Sequence, residues 1–353
     1  MPKVRKIAVI GSGITGLTVA RNLQGEGEIQ LYDKSTGVGG RMATRSKEGH
    51  YFDHGAQFFT VRTKQFKEFL KPFISSDKVA RWEPKVLGFS EYGTSHKRYW
   101  FEEHYVGFPK MTSLCKQLAK DVNVNLSMTV EKVEPVGDKN YLHFANKKKP
   151  LAFDWVVAAM PAAQILALYP DSFGSALNLK KVKMFPCYTL MLQTAKKVQP
   201  LIQAASVQEN IIRWISENSS KPGRHPIPTY VVHSSYDWAK DNALSDKRHV
   251  QNLLEKNFCE LTGLDHEYIE QSDLHFWRHA VTETPADSAS YIDRTLRLAA
   301  CGDWCLGQNI EDGFLSGMHI SKNLKVIFFE NHLHFHQLEN LTTFLECMKL
   351  QLN

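Results

Sequence analysis

Long apolar runs are what this sequence lacks first. No stretch reaches the roughly 18 uninterrupted apolar residues of a membrane-crossing helix, so no membrane partner is expected. Cysteine is sparse: Cys115, Cys187, Cys259, Cys301, Cys305 and Cys347 are irregularly spaced and form no paired CxxC framework. That argues against a disulfide-stapled secreted fold and for free thiols in a reducing cytoplasm. Cys301 and Cys305 could share one side of a short helix, but no second ligand pair accompanies them, and no metal site is expected. A strong charge bias is missing too. Lys and Arg exceed Asp and Glu by only 43 − 37 = 6, too little to argue for nucleic acid. The longest basic run, Lys147 to Lys149 beside Pro150, reads as a solvated turn. There is no internal repeat and no low-complexity segment.

What is present is the balance of a globular protein, with 43% apolar and 23% charged residues. At 353 residues the chain is long enough for one large or two ordinary domains. Lys3, Arg5 and Lys6 ahead of an apolar run mimic a secretory signal, but Gly11, Gly13 and Gly16 interrupt that run.

Lys6 to Ile10 reads as a buried parallel strand, Ile14 to Leu23 as a helix, and Glu28 to Tyr32 as a second strand ending at Asp33. Lys64 to Lys71 is an amphipathic helix stopped by Pro72. Val86 to Phe108 is a hairpin-like β region, and Asp154 to Ala159 another buried strand. From about Tyr169 to Phe276 strand-like and helical runs mix, as in an inserted domain. Arg297 to Cys301 returns to a buried strand, and Asp312 to Leu324 reads as a helix. The expected division is 1–75, 109–168 and 277–325 for a Rossmann-type unit, 76–108 and 169–276 for a second domain, and 326–353 for a tail.

The chemistry starts at Gly11-Ser12-Gly13-Ile14-Thr15-Gly16. Glycines there allow a tight turn, close approach of backbone to a pyrophosphate, and close helix-to-strand packing. The helix N-terminus offers free N–H groups to phosphate. Asp33 is placed to accept hydrogen bonds from a ribose hydroxyl pair. This motif alone does not choose NAD over FAD. Gly39-Gly40-Arg41-Met42 favours FAD, because its glycines let a loop pass close to the dinucleotide and Arg41 supplies a fork of donors.

These strings, with Asp33-Lys34, Phe52-Asp53-His54-Gly55-Ala56-Gln57-Phe58-Phe59, Phe153-Asp154 to Pro161-Ala162, Trp277-Arg278-His279 and Cys301-Gly302-Asp303-Trp304, resemble the FAD-dependent amine-oxidase superfamily, and within it the bacterial renalase-like branch. The resemblance runs from Lys6 to Asn323. It implies an α/β fold in which a Rossmann-type FAD-binding domain carries an inserted α+β substrate domain, as in amine oxidases and p-hydroxybenzoate hydroxylase. It implies that Gly11, Ser12, Gly13 and Gly16, with Thr15, hold the pyrophosphate, and Asp33, with Lys34, the adenosine ribose. Gly40 and Arg41 would line the cofactor loop, and Gly55, Ala56 and Gln57 would pass the isoalloxazine ring. Val130 would meet adenine through its backbone. Gly302 and Asp303 would reach ribityl or phosphate oxygens, and Asp312, Gly313 and Phe314 would approach the flavin. Relatives tend to have Glu-Gly-Ala where this chain has Glu311-Asp312-Gly313, and a carboxylate there would disfavour a reduced flavin anion unless it points away. FAD is expected to be non-covalent, since no Cys or His matches a flavin-linking position.

For the reaction, the resemblance implies oxidation of dihydronicotinamide dinucleotides reduced at the 2- or 6-position, with oxygen as the second substrate. Amine-oxidising relatives place a lysine near the flavin, and the sequence identifies no such lysine. Trp214, His233, Trp277 and Arg278 are the candidates to shape the nicotinamide pocket. For His233 a structural hydrogen bond, for Trp214 a plain core role, and for Arg278 a domain-interface salt bridge stay open. Two rivals also stay open: an amine or polyene oxidoreductase, and a non-catalytic flavin-binding module. His332, His334 and His336 have the alternate spacing of a metal-binding strand, but no carboxylate or cysteine completes the set.

Overall fold

The computed structural model describes residues 4–47, 49–90, 95–98, 102–198 and 202–350, with the backbone alone described over 95–98 and 331–350. Its first sheet has six strands in the order Tyr291–Asp293, Leu298–Ala300, Trp155–Ala158, Lys6–Ile10, Glu28–Tyr32 and Val124–Asn125. All neighbours are parallel except the outermost pair, Tyr291–Asp293 against Leu298–Ala300. The continuous apolar run Ile7 to Ile10 is explained by burial on both faces. Ile7 and Val9 enter one core cluster with Leu17 and Phe314, whereas Ala8 and Ile10 enter another with Tyr32, Phe144 and Trp304.

A seven-stranded sheet stands beside it. Its order is Ile269–Thr284, Lys183–Thr194, Thr229–Ser234, Ile212–Glu217, Ala204–Val207, Val86–Phe89 and Ser95–Arg98. The strands Val86–Phe89 and Ser95–Arg98 therefore join the sheet built by the five later strands. The two faces of this sheet differ. Tyr230 and Val232 point to a cluster closed by Val250, Leu254 and Phe258 of the helix Lys247–Thr262. Val231, one residue out of phase, packs on Phe52 instead. The face sharing that phase looks toward the loop 52–58.

Three elements depart from their expected bounds. The helix at 64 runs on to Ser75 with Pro72 inside it. Burial of Phe73 and the Ser76 hydroxyl donating to the Pro72 carbonyl hold the extra turn, against the lost N–H bond of proline. A single strand, Ile269–Thr284, crosses the expected boundary at 276/277 without a break. The final helix starts at Ile310 and continues to Leu350, 41 residues, where a helix to Leu324 and a separate tail were expected. On that helical backbone, positions 332, 334 and 336 do not share the one face that strand spacing gives them. No helix among the described residues is long and apolar enough to cross a membrane.

Candidate functional site

Three loops from the first sixty residues meet at the end of the six-stranded sheet. In the first, a Cβ on Gly16 would collide with the Gly11 carbonyl oxygen, so Gly16 is what lets the helix Ile14–Asn22 pack tightly on its own turn. Gly13 is the opposite case. A Cβ there meets nothing within 4 Å, and the helix it precedes has no side-chain cap and no acidic residue in its first turn. The helix thus begins uncapped beside open space at Gly13, the arrangement a pyrophosphate needs. The second loop lies on the first: Gly39 N–H donates to the Ser12 carbonyl (2.9 Å), and a Cβ on Gly40 would be 3.4 Å from Gly13 Cα. The third loop lies on the second, with Ala56 N–H donating to the Arg41 carbonyl (2.8 Å) and no room for a side chain at Gly55.

Asp33 is engaged within this frame. Its Oδ2 accepts from Ser12 N–H (2.7 Å) and Ser12 Oγ–H (2.6 Å), and its Oδ1 from Ser35 N–H (2.8 Å). A carboxylate has about four acceptor positions, so one remains on Oδ1 for a hydroxyl. Arg41 makes a fork–fork pair with Asp303, Nη1 to Oδ2 at 2.7 Å and Nη2 to Oδ1 at 2.5 Å, and Nη1 also donates to the Ala280 carbonyl (3.3 Å). Asp303 thus aims Arg41, with an acceptor position left on each of its oxygens.

Asp312 points away from the loops. Its Oδ2 accepts from the N–H groups of Gln308 (3.0 Å) and Asn309 (2.8 Å), capping the start of the last helix. Glu311 does the same for a neighbour, accepting from Arg62 N–H (2.9 Å) and Thr63 N–H (2.7 Å) at the start of the helix Lys64–Ser75. A side chain on Gly313 would crowd Thr15 and Ile14, which makes it a helix-crossing point. The Phe314 ring, expected near a flavin, instead packs 4.3 Å from the Phe69 ring in the core. It lies on the apolar stripe of its helix, leaving only its backbone near the loops. Lys34 is exposed, Gly302 leaves no space for a side chain beside Trp304, and Val130 opens a strand paired with Phe144. Open space at the uncapped helix start by Gly13, a free acceptor on Asp33 and an aimed Arg41 together fit a dinucleotide.

The seven-stranded sheet supplies the opposite wall. Trp214 and His233 pair in register across adjacent strands. The Trp214 ring is 5.7 Å from Phe58, and Trp277 donates its indole N–H to the His54 carbonyl (3.0 Å). His54, His275 and Trp277 pack with centroids 4.4 to 5.0 Å apart. His233 also hydrogen-bonds the His54 backbone, and its Nε2 faces Gln57 Nε2 at 3.4 Å. Burial, with the cations Arg213 and Lys221 nearby, pushes the His233 imidazole down to about 3. Burial, with His275 and Arg45, pushes His54 down to about 4. Both rings are neutral at pH 7. Three of the four pocket candidates are therefore brought together. Arg278 is not among them: it is exposed, with its guanidinium 5.8 Å from the Phe276 ring, and Phe276 packs on the helix-covered face.

Beneath the third loop lies a cluster that sequence reading missed. Asp53 and Lys221 are fully buried and Arg224 nearly so. Arg224 donates to Asp53 Oδ2 (2.5 Å), while Thr44 (2.7 Å) and the Met111 N–H (3.0 Å) donate to Oδ1. Burial alone would raise the Asp53 carboxyl, but Lys221 and Arg224 bring it down to about 2. Lys221 donates to Gln57 Oε1 (3.0 Å) and Asn218 Oδ1 (3.2 Å). The only trace in the sequence is Lys221-Pro222-Gly223-Arg224 following an apolar strand, which composition cannot tell from a surface turn.

Residues 9–73 match the family described as NAD(P)-binding Rossmann-like domain. A 4,4'-diapophytoene desaturase of Staphylococcus aureus (strain bovine RF122 / ET3-1) is 36% identical over 77 residues, 19% of this chain and 15% of the relative. The desaturase of strain Newman is 47% identical over 51 residues, 14% of this chain and 10% of the relative. The chain thus spans less than a fifth of the length of these curated relatives. Among solved structures, a proposed protoporphyrinogen oxidase from Exiguobacterium sp. 255-15 aligns with TM-score 0.75 at 11% identity, covering 92% of this chain and 99% of that one. A cofactor-binding redesign of putrescine oxidase aligns with TM-score 0.66 at 10% identity, covering 91% and 99%. The protein is an α/β protein with a Rossmann-type dinucleotide-binding unit and the overall fold of these oxidases.

Proposed function

We propose that the chain is an FAD-dependent oxidoreductase that oxidises dihydronicotinamide dinucleotides reduced at the 2- or 6-position, yielding NAD(P)+. FAD, when bound, would accept the hydride at N5 and pass the electrons to oxygen, giving hydrogen peroxide. Its pyrophosphate would lie over Gly13 and near Arg41, its ribose at Asp33, and its ring against Gly55 to Gln57.

The observation that carries this reading is the composition of the opposite wall. Trp214 packs on Phe58, and His54, His275 and Trp277 pack on one another, an aromatic cluster whose chemistry suits a flat substrate. Loss of hydride turns a dihydropyridine into a pyridinium cation, so no proton has to leave. Ring faces favour the cation as it develops, and buried neutral imidazoles supply shape rather than charge. The rest is orientation of donor over acceptor. Lys221 donates inward, to Gln57 and Asn218, rather than toward the wall.

A second reading, an amine or polyene oxidoreductase, is favoured by the presence of a buried lysine beside Gln57 and by the desaturase likeness of the N-terminal segment. Anaerobic mixing with borohydride-treated NAD(P)+ separates the two. Rapid bleaching of the flavin band by these isomers, far faster than by ordinary NAD(P)H or monoamines, is expected. Preferential bleaching by amines or polyenes overturns the first reading in favour of the second. A flavin that none of them bleaches leaves a binding module.

A further inference from the structure

The cluster under Gln57 does not balance. Its charged members are Asp53, Lys221 and Arg224, one anion against two cations, all with side chains at most 3% exposed. The Asp53 carboxylate is committed to Arg224 at 2.5 Å, Thr44 and the Met111 N–H. Lys221 stands 3.5 Å from it, outside good hydrogen-bond distance, and its closer acceptors are the neutral oxygens of Gln57 and Asn218. The Trp82 ring, 5.5 Å away, adds no formal charge. The nearby imidazoles His54 and His233 are neutral, and the other charge that acts on His233 is the cation Arg213. Asp53 is the one counter-ion that both cations share, so the cluster carries one net positive charge in a place water does not reach, and such a charge favours any anion that forms close by.

We propose that Lys221 is a positioning residue whose uncompensated charge, acting through Gln57, stabilises the reduced flavin as its anion. The inference rests on the flavoenzyme reading above. The charges close: neutral oxidised flavin and a neutral dihydropyridine ring would give an anion and a pyridinium cation, with no proton exchanged. The anion would form across Gln57, whose Oε1 accepts from Lys221 and whose amide N–H groups donate to the Asp53 and Gly55 carbonyls, so the charge would act through space over that side chain. Burial, opposed by Asp53 and reinforced by Arg224, lowers the Lys221 ammonium to about 8. An anion beside it raises that value again, so reduction above pH 8 draws in a second proton.

The test is the midpoint potential of the flavin-loaded protein, with sulfite binding as a second readout, in the wild type, Lys221→Met and Asn218→Asp. The first variant removes the cation. The second keeps it and adds an anion 3.2 Å away, cancelling the charge with Lys221 retained, at the loss of the Asn218 Nδ2 bond to the Tyr51 carbonyl. Both are expected to weaken sulfite binding at least tenfold and to lower the potential by about 30 mV for each tenfold. Lys221→Arg is expected to restore most of it. If Lys221→Met does not fold, Asn218→Asp and the wild type suffice. The wild-type potential should fall by about 30 mV per pH unit below pH 8 and about twice that above. Unchanged potentials in the variants together with one slope through pH 8 overturn this inference alone. A wild-type protein that holds no flavin overturns both it and the flavoenzyme reading.

Discussion

The two sheets build their shares of the site from different materials. The six-stranded sheet contributes chiefly backbone, with open space at Gly13, a loop on Gly40 and a carbonyl at Arg41, to which only the Asp33 and Arg41 side chains are added. The seven-stranded sheet and the turn after Glu217 contribute side chains: Trp214, Lys221, Arg224, His233 and Trp277. A backbone site depends on what is absent at a position, and tolerates no Cβ where packing or a ligand must come close. A side-chain site depends on several distant residues each satisfying the others, and fails by leaving a partner unpaired.

That contrast is sharpest between two glycines three residues apart. Gly16→Val is expected to abolish the soluble folded protein, since its Cβ has no space beside the Gly11 carbonyl. Gly13→Val is expected to fold with the wild-type melting temperature and retain no flavin, because its Cβ projects only into the space proposed for pyrophosphate. Thermal unfolding and bound-flavin absorbance read both. Full flavin occupancy in Gly13→Val would move the cofactor elsewhere.

On the side-chain half, Asp53→Ala leaves Lys221 and Arg224 buried without their anion. A loss of about 3–5 kcal/mol of stability is expected, measured by urea unfolding. A loss under about 1 kcal/mol would mean that water enters the cluster.

His233→Ala removes a ring that touches Gln57 and the His54 carbonyl. Flavin reduction by the isomers is expected to slow by about ten- to a hundredfold, the worth of roughly 1–3 kcal/mol of lost orientation, with FAD retained. A lowered melting temperature with an unchanged rate would make His233 purely structural. The same variant tests an acid limb. His54 and His233 have folded values near 4 and 3, below the unfolded value of about 6.5. The unfolded chain therefore binds more protons, and the stability they contribute, complete above about pH 6.5, is lost as pH falls toward 4 and 3. His233→Ala should flatten that loss.

The smallest effect is expected at Arg278. Arg278→Ala should leave stability within about 0.5 kcal/mol and the reduction rate within about twofold. A tenfold loss in kcat/KM for dinucleotides that spares shorter dihydronicotinamides would show that this exposed guanidinium reaches a substrate phosphate.

How much of this was legible follows the same division. The glycine loops, Asp33, Arg41 and the strand–helix–strand opening are local patterns whose spacing carries their meaning, and the fold they imply is the one observed. Trp214, His233 and Trp277 were reachable as aromatic and strand-end residues, and the sheet pairing that puts them on one face belongs to tertiary structure. Lys221 was invisible because nothing local marks a lysine as buried: its partners are Gln57, 164 residues away, and Asp53, 168 away. Asp303 was given as a ligand by the family resemblance, and only the fold shows that Arg41 already holds it. The helix stop at Pro72 failed because burial of Phe73 outweighs one missing N–H bond.

The Arg41–Asp303 pair also has a consequence for the order of events in the cell. Its members are 262 residues apart. At about 5–20 residues per second, a ribosome takes roughly 15 to 50 seconds to get from one to the other. Through that interval the nascent chain already displays its glycine turns, while the guanidinium that completes the cradle has nothing to aim it. A dinucleotide arriving early would meet a half-built seat, so the complete cradle exists only once Asp303 has been made and has folded against Arg41.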